Sequence, residues 1–222
     1  MFTRSRKADI FLVDDHPVVR ESLRILLNHE PDFTVIGEAE DAQSALKEIS
    51  AKKPDLAIID ISLHASSGFD LIKSLKSKLP RLGIVVFSMH DEKLYAERCI
   101  RAGAAGYVMK RESTKRILTT IRDVLAGNLG VSEQVMAHFS QKFIGGRYMA
   151  DRVPFAELSD RELEIFNLLG LGLASRKIAQ TLDVNIKTVQ AHCANIKQKL
   201  GLSTATELLR EATKWSDSSS AF

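Results

Sequence analysis

From Asp9 to Gly127 short apolar runs alternate with stretches whose apolar residues recur every three or four positions. The runs Ile10–Val13, Thr34–Gly37, Leu56–Ile59, Ile84–Phe87 and Gly106–Met109 are mostly rich in β-branched residues, which predicts five strands. Between them Pro17–Asn28, Ala42–Ile49, Phe69–Lys76 and Glu92–Ala102 have helical spacing, as does Thr114–Ala126 after the last run. Strands that alternate with helices predict a parallel sheet, because parallel neighbours need crossovers and the crossovers cover both faces. Side chains at the carboxyl ends of those strands then gather on one rim, beside the switch in strand order.

The pattern changes after Gly127. Residues 128–153 hold Gly130, Gly145 and Gly146 and no strand period, which predicts a connector with a helical stretch around Glu133–Phe143. From Phe155 to Trp215 the spacing is helical throughout. Ser159-Asp-Arg-Glu162 is a capping box, and Leu163, Phe166 and Leu169 form the inner stripe behind it. Ser175 is expected to cap a short second helix, with Ile178, Ala179 and Leu182 inward. Asn185 is expected to cap a third, with Val189, Cys193, Ile196 and Leu200 inward and Gly201 at its end. A fourth helix is predicted from about Thr204 to Lys214, and the tail Ser216–Phe222 is expected to fray. The chain therefore reads as an α/β domain over residues 7–127, a connector over 128–153 and an all-α domain over 154–216.

Composition narrows the classes without choosing among them. Hydrophobic residues make up 45% and charged residues 27%, ordinary values for a globular chain. The longest uncharged stretch, Ile165 to Ser175, falls far short of the roughly 17–25 apolar residues of a membrane helix, so no membrane partner is expected. Arg4, Arg6 and Lys7 precede an apolar run too brief for a secretory leader. Two distant cysteines, Cys99 and Cys193, exclude a disulfide framework and fit a cytoplasmic protein. The net charge of +3 is informative only through its distribution.

Three carboxylates follow strands: Asp14 and Asp15 after the first, Asp60 after the third. Taken singly, each could be a helix cap or turn residue. Ser88 ends the fourth strand and Lys110 follows the fifth, so one rim collects carboxylates, a hydroxyl and an ammonium. Crowded carboxylates repel, and a hard cation such as Mg²⁺ relieves that cost. An aspartyl-phosphate site needs this set: a carboxylate nucleophile, a cation for the donor's oxygens, and a lysine and hydroxyl to bind them afterwards.

Val13-Asp-Asp-His-Pro17, Ile58-Ile-Asp-Ile-Ser62, Val85-Val-Phe-Ser-Met-His90 and Gly103-Ala-Ala-Gly-Tyr-Val-Met-Lys110 closely resemble the motifs of a bacterial response regulator. The resemblance implies a flavodoxin-like receiver. In it Asp60 would accept a phosphoryl group from a sensor histidine kinase, and Asp14, Asp15 and Asp60 would hold Mg²⁺ with the backbone carbonyl of Ser62. It further implies that Ser88 and Tyr107 form the switch pair and that Lys110 is the phosphate partner. His64 departs from the pattern, since receivers commonly place proline there, whereas the expected Gly68 is present.

In the all-α region the second and third helices form a helix-turn-helix pattern. With the apolar stripe of the third inward, Lys187, Ala191, Ala194 and Gln198 point outward, flanked by Gln190 and Lys197. Arg176, Lys177, Lys187, Lys197 and Lys199 are opposed only by Asp183 in these two helices, a basic face suited to DNA. A solvated helical interaction domain would carry such lysines too. Leu158-Ser-Asp-Arg-Glu162, Gly172, Ile178-Ala179, Thr188-Val-Gln-Ala-His192, Asn195-Ile196 and Lys199-Leu-Gly201 resemble the LuxR-type DNA-binding module, and the whole chain resembles the NarL/FixJ subfamily. The DNA-facing set expected from both lines is Lys177, Lys187, Thr188, Gln190, Ala191, Ala194, Lys197 and Lys199. Leu208, Leu209 and Ala212 form a stripe that either a second copy or the domain itself could cover. The reading is a phosphorylation-dependent transcription regulator that dimerises when active, not an enzyme. The alternatives are a receiver acting without phosphorylation and an aspartyl nucleophile that hydrolyses phosphate esters.

Overall fold

The computed structural model describes residues 6–63, 67–144, 155, 157–182 and 184–220. The chain forms two compact units, residues 1–148 and 149–222. In the first, β1 (Ala8–Val13), α1 (Pro17–His29), β2 (Phe33–Ala39), α2 (Ala42–Lys52), β3 (Leu56–Ile59), α3 (Gly68–Lys78), β4 (Gly83–Ser88), α4 (Glu92–Ala102), β5 (Gly106–Met109), α5 (Thr114–Leu125) and α6 (Glu133–Ile144) follow in order. The sheet runs β2-β1-β3-β4-β5 and every pair is parallel. Helices cover both of its faces, so β1 from Ile10 onward and all of β3 are apolar, and Ile10, Phe11, Leu12, Leu56, Ala57 and Ile59 are fully buried. On one face Ile10, Leu12, Leu56, Ile58, Val85 and Val108 pack against Leu23 and Leu27 of α1 and Ile117, Ile121 and Val124 of α5. Helix starts follow from side-chain chemistry: Asp41 accepts the Gln43 and Ser44 amides at α2, and Asp91 accepts the Lys93 amide at α4.

The segment after α5 differs from a free connector. It turns back along β5, where Gly130 donates its amide to the Ala105 carbonyl at 2.8 Å and accepts the Tyr107 amide at 2.9 Å. Val131 and Val135 are buried behind it. A Cβ on Gly130 would lie 2.6 Å from Thr120 Cγ2, so only glycine lets the backbone come this close. α6 covers the predicted Glu133–Phe143 stretch. Gly145 and Gly146 lie outside the described residues, as does Asp183 in the predicted turn.

The second unit holds α7 (Asp160–Gly170), α8 (Ser175–Thr181), α9 (Ile186–Leu200) and α10 (Ala205–Ser220). The Ser159–Glu162 capping box is formed, Asn185 caps α9, and Gly201 ends α9 at φ 67°. Ser175 is the first residue inside α8 rather than its cap, a place taken by Ala174, which makes no side-chain bond there. α10 continues to Ser220, past the expected fraying point. Its grip on α7 explains this: Trp215 Nε1 donates to Asn167 Oδ1 at 3.1 Å, and the Phe155 ring packs on both Phe166 and Trp215. A Cβ on Gly170 would lie 2.4 Å from the Ala212 carbonyl oxygen. Leu208 and Ala212 are buried and only Leu209 of that stripe is exposed, so most of it is consumed within the domain. The inner face of α9 is also narrower than predicted: Val189 and Ile196 are buried, whereas Cys193 and Leu200 are half-buried. Among the described residues no helix is long and apolar enough to cross a membrane.

Candidate functional site

Strand register builds the rim. Val13 pairs with Ile59, and the Asp60 amide donates to the Val13 carbonyl at 2.8 Å, which sets Asp14 and Asp60 side by side one step past the paired ends. Across β3, β4 and β5 the same logic applies: Ser88 pairs with Met109, and the Lys110 amide donates to the Ser88 carbonyl at 2.7 Å. Side chains from four strand ends therefore converge without any loop having to reach for them.

Lys110 is the bridge. Its Nζ lies 2.6 Å from Asp14 Oδ2 and 2.6 Å from Asp60 Oδ2, with all three side chains almost wholly buried. Burial pulls the ammonium down, but the Asp60 charge and the hydrogen bonds to Asp14 and Asp60 outweigh it and leave its pKa raised. The other carboxylate oxygens serve the turns. Asp14 Oδ1 accepts the His16 amide at 2.9 Å, and Asp60 Oδ1 accepts the Ser62 amide at 3.0 Å. The turn role weighed for these aspartates thus coexists with their place on the rim. Gly68 lets the first turn of α3 lie on the acceptor loop, since a Cβ there would meet the Ile61 Cα at 2.5 Å and the Asp60 carbonyl oxygen at 2.7 Å. His64 lies outside the described residues.

The donor set fits a cation. Asp14, Asp15, His16 and Asp60 each offer a ligand atom, all within 4.8 Å of one another, and three of the four are carboxylates. Ser88 is fully buried, and its Oγ accepts the His90 amide at 3.3 Å. Tyr107 is already inside: its side chain is fully buried and its hydroxyl donates to the His90 carbonyl at 2.9 Å. Burial pushes that phenol well above its ordinary pKa, so it stays a neutral donor.

Three residues with a part in this geometry were not singled out for the rim by sequence reasoning. Arg20 Nη1 donates to the Asp14 carbonyl at 2.6 Å and anchors the acidic pair to α1. His90 Nε2 lies 2.7 Å from Ser62 Oγ and its ring stacks on Tyr95, tying the loop after β3 to the loop after β4. Burial lowers its imidazole pKa, partly offset by the Asp60 charge. The third, His16, stands directly beside Asp15, which is the only signal its sequence position offers.

In the second unit, Lys177, Lys187, Thr188, Gln190, Ala191 and Ala194 are exposed and Lys197 is half-buried. Lys199 is exposed as well, but it has a protein partner: its Nζ donates to Glu162 Oε2 at 2.6 Å, and that carboxylate is almost wholly buried. A buried carboxylate held this way competes with a phosphate for the lysine.

The chain matches the response regulator receiver domain over residues 10–122 and the bacterial regulatory proteins of the luxR family over residues 156–212. It is 33% identical over 209 residues to the oxygen regulatory protein NreC of Staphylococcus aureus, which spans 92% of this chain and 96% of NreC. It is also similar to the crystal structure of a LuxR-family two-component response regulator from an Aurantimonas species, with 29% identity and TM-score 0.57 over 62% of this chain and 99% of that one. RcsB of Salmonella enterica serovar Typhimurium, solved bound to promoter rprA in the presence of the phosphomimetic BeF3-, shares the fold at 24% identity and TM-score 0.62, over 94% of this chain and 99% of that one. These are regulators rather than phosphate-ester hydrolases. A five-stranded parallel sheet with an acidic rim, followed by a luxR-type helical domain, identifies the chain as a member of the bacterial response regulators, with an N-terminal receiver and a C-terminal DNA-binding domain.

Proposed function

We propose that this regulator is switched by phosphorylation of Asp60 and that the switch controls how its second domain holds DNA. The observation that carries this reading is the Lys110 bridge, which gathers Asp14 and Asp60 at 2.6 Å each. A carboxylate held this way is a nucleophile beside a fixed positive charge. In the reaction an Asp60 oxygen bonds the phosphorus of the kinase's phosphohistidine, the P–N bond breaks, and the imidazole leaves. Mg²⁺, held by Asp14, Asp15, Asp60 and the Ser62 carbonyl, would supply charge neutralisation for the phosphoryl oxygens. Lys110 then shifts from carboxylate to phosphoryl partner. Ser88 donates a hydrogen bond from its hydroxyl to a phosphoryl oxygen; its Oγ also accepts the His90 amide, and Tyr107 holds the His90 carbonyl, so a charge event at Asp60 reaches the loop of His90.

The receiver occupies 7–127, with the first residues of the 128–153 connector closing its edge, and the DNA-binding domain occupies 154–216. α9 enters the major groove. Lys187 and Lys197, with Lys177 on α8, meet phosphates; Thr188, Gln190, Ala191 and Ala194 face bases. The active form is a homodimer that reads two half-sites, and it works in the cytoplasm alongside its sensor kinase and DNA.

The test is phosphorylation of the full chain by a small phosphodonor with Mg²⁺, followed by mass and DNA affinity measured on the same sample. Wild type should gain one phosphoryl mass and bind DNA more tightly, and Asp60→Asn should do neither with its fold intact. Equal labelling of the two proteins would overturn the assignment.

A further inference from the structure

One side chain on the rim has no part in the scheme above. His16 stands immediately before α1, and its side chain is 62% exposed. It does not cap the helix: the side chain makes no cap hydrogen bond, and Pro17 follows it at the helix start. Its Nδ1 instead points back to the carboxylates, 2.6 Å from Asp15 Oδ1 and 3.3 Å from Asp14 Oδ1. Within the 4.8 Å cluster it is the one nitrogen donor.

That nitrogen changes the chemistry of the set. Mg²⁺ is served by oxygens and waters and gains little from an imidazole. Divalent transition ions gain more from one, least for Mn²⁺ and more for Co²⁺ and Zn²⁺. Lys110 takes the Oδ2 atoms of Asp14 and Asp60, whereas His16 Nδ1 lies against Asp14 Oδ1 and Asp15 Oδ1. We propose that His16 Nδ1 is a further protein ligand of the rim cation and that it tilts the site toward divalent transition ions, Mn²⁺ among them, over Mg²⁺. A neutral imidazole that binds an ion through Nδ1 carries its proton on Nε2. The inference rests on the reading of the rim as a cation site.

The test uses the full chain freed of metal by a chelator, with Mn²⁺ alone and Mg²⁺ alone as probes. Free Mn²⁺ is followed by electron paramagnetic resonance, Mg²⁺ by competition, and bound Mn²⁺ by spin-echo modulation from directly ligated ¹⁴N. Wild type should show imidazole modulation that His16→Ala lacks. The substitution should weaken Mn²⁺ about tenfold or more and change Mg²⁺ by less than about twofold. Modulation that persists in His16→Ala would place the nitrogen elsewhere and overturn the proposal, as would equal weakening of both ions or no weakening of either. A wild type that binds neither ion would overturn the cation site itself, whereas a wild type that binds both with a ratio unmoved by His16→Ala would overturn only the role of His16. His16 is exposed, so the variant keeps the fold, which circular dichroism checks.

Discussion

Lys199 and Glu162 form a 2.6 Å ion pair that joins the last turn of α9 to the first turn of α7. The same carboxylate oxygen accepts the Ser159 amide at 2.7 Å, so one buried atom closes the capping box and fixes the recognition helix. Burial raises the Glu162 pKa, but Lys199 and Ser159 outweigh it and the net is a depressed value. A depressed carboxylate stabilises the fold above its unfolded pKa, and that contribution is lost as pH falls through the folded value.

Lys199→Ala should therefore destabilise the helical domain by about 1 kcal/mol at pH 7, a figure reduced for the lysine's partial exposure. The gap to wild type should close as acid protonates Glu162. Urea unfolding at neutral and acid pH measures both. The salt dependence of DNA binding should not change, and a slope lowered by about one would return Lys199 to the phosphate contacts.

Lys110→Ala leaves two buried carboxylates facing each other. Without divalent cation the receiver should lose about 3 kcal/mol. Mg²⁺ should then stabilise the variant more than it stabilises wild type, because it replaces the lost charge. Thermal unfolding over a Mg²⁺ series reads this, and equal stabilisation of the two proteins would show that lysine and cation do not share the carboxylates.

The Ser88 and Tyr107 hydroxyls separate by substitution. Ser88→Ala should accept phosphate yet gain little DNA affinity from it. Tyr107→Phe keeps the ring but loses the bond to the His90 carbonyl, about 1 kcal/mol. Amide exchange at residues 89–91 should then quicken with the core still protected. A Ser88→Ala protein that responds as strongly as wild type would break the proposed coupling.

On α9, Lys187→Ala should weaken binding to every sequence alike and lower the salt slope by about one. Gln190→Ala should instead relax preference at one base position, at about 1–3 kcal/mol. Binding-site selection on both variants separates the roles; altered base preference in the lysine variant and none in the glutamine variant would reverse them.

The sheet was legible because its strands are short, apolar and buried on both faces, so Leu56–Ile59 and Gly106–Met109 end where the pattern ends. The rim was legible because register carries strand-end residues to one place. What escaped the pattern depends on contacts between distant residues. The Lys199 ion pair was not legible because nothing local shows that Glu162, 37 residues earlier, is buried. Leu208 and Ala212 could have served either face until Gly170 revealed how closely α7 approaches. The Ser62–His90 contact joins two loops that are adjacent only once β3 and β4 pair. Strand ends were also underestimated: β2 reaches Phe33–Ala39, because backbone pairing to β1 continues where the apolar run stops.

An open parallel sheet ends in a row of unsatisfied N–H and C=O groups, and such an edge recruits other chains. β5 would be that edge on its side of the receiver, but Gly130 takes up the Tyr107 amide and gives its own to Ala105. A fragment cut after Gly127 would strip this cover and leave the strand that carries Tyr107 as a template for strand addition. Such a fragment would self-associate with every rim residue still in place. The tether that leads toward the second domain is therefore also a stopper, keeping the sheet from growing onto its neighbours.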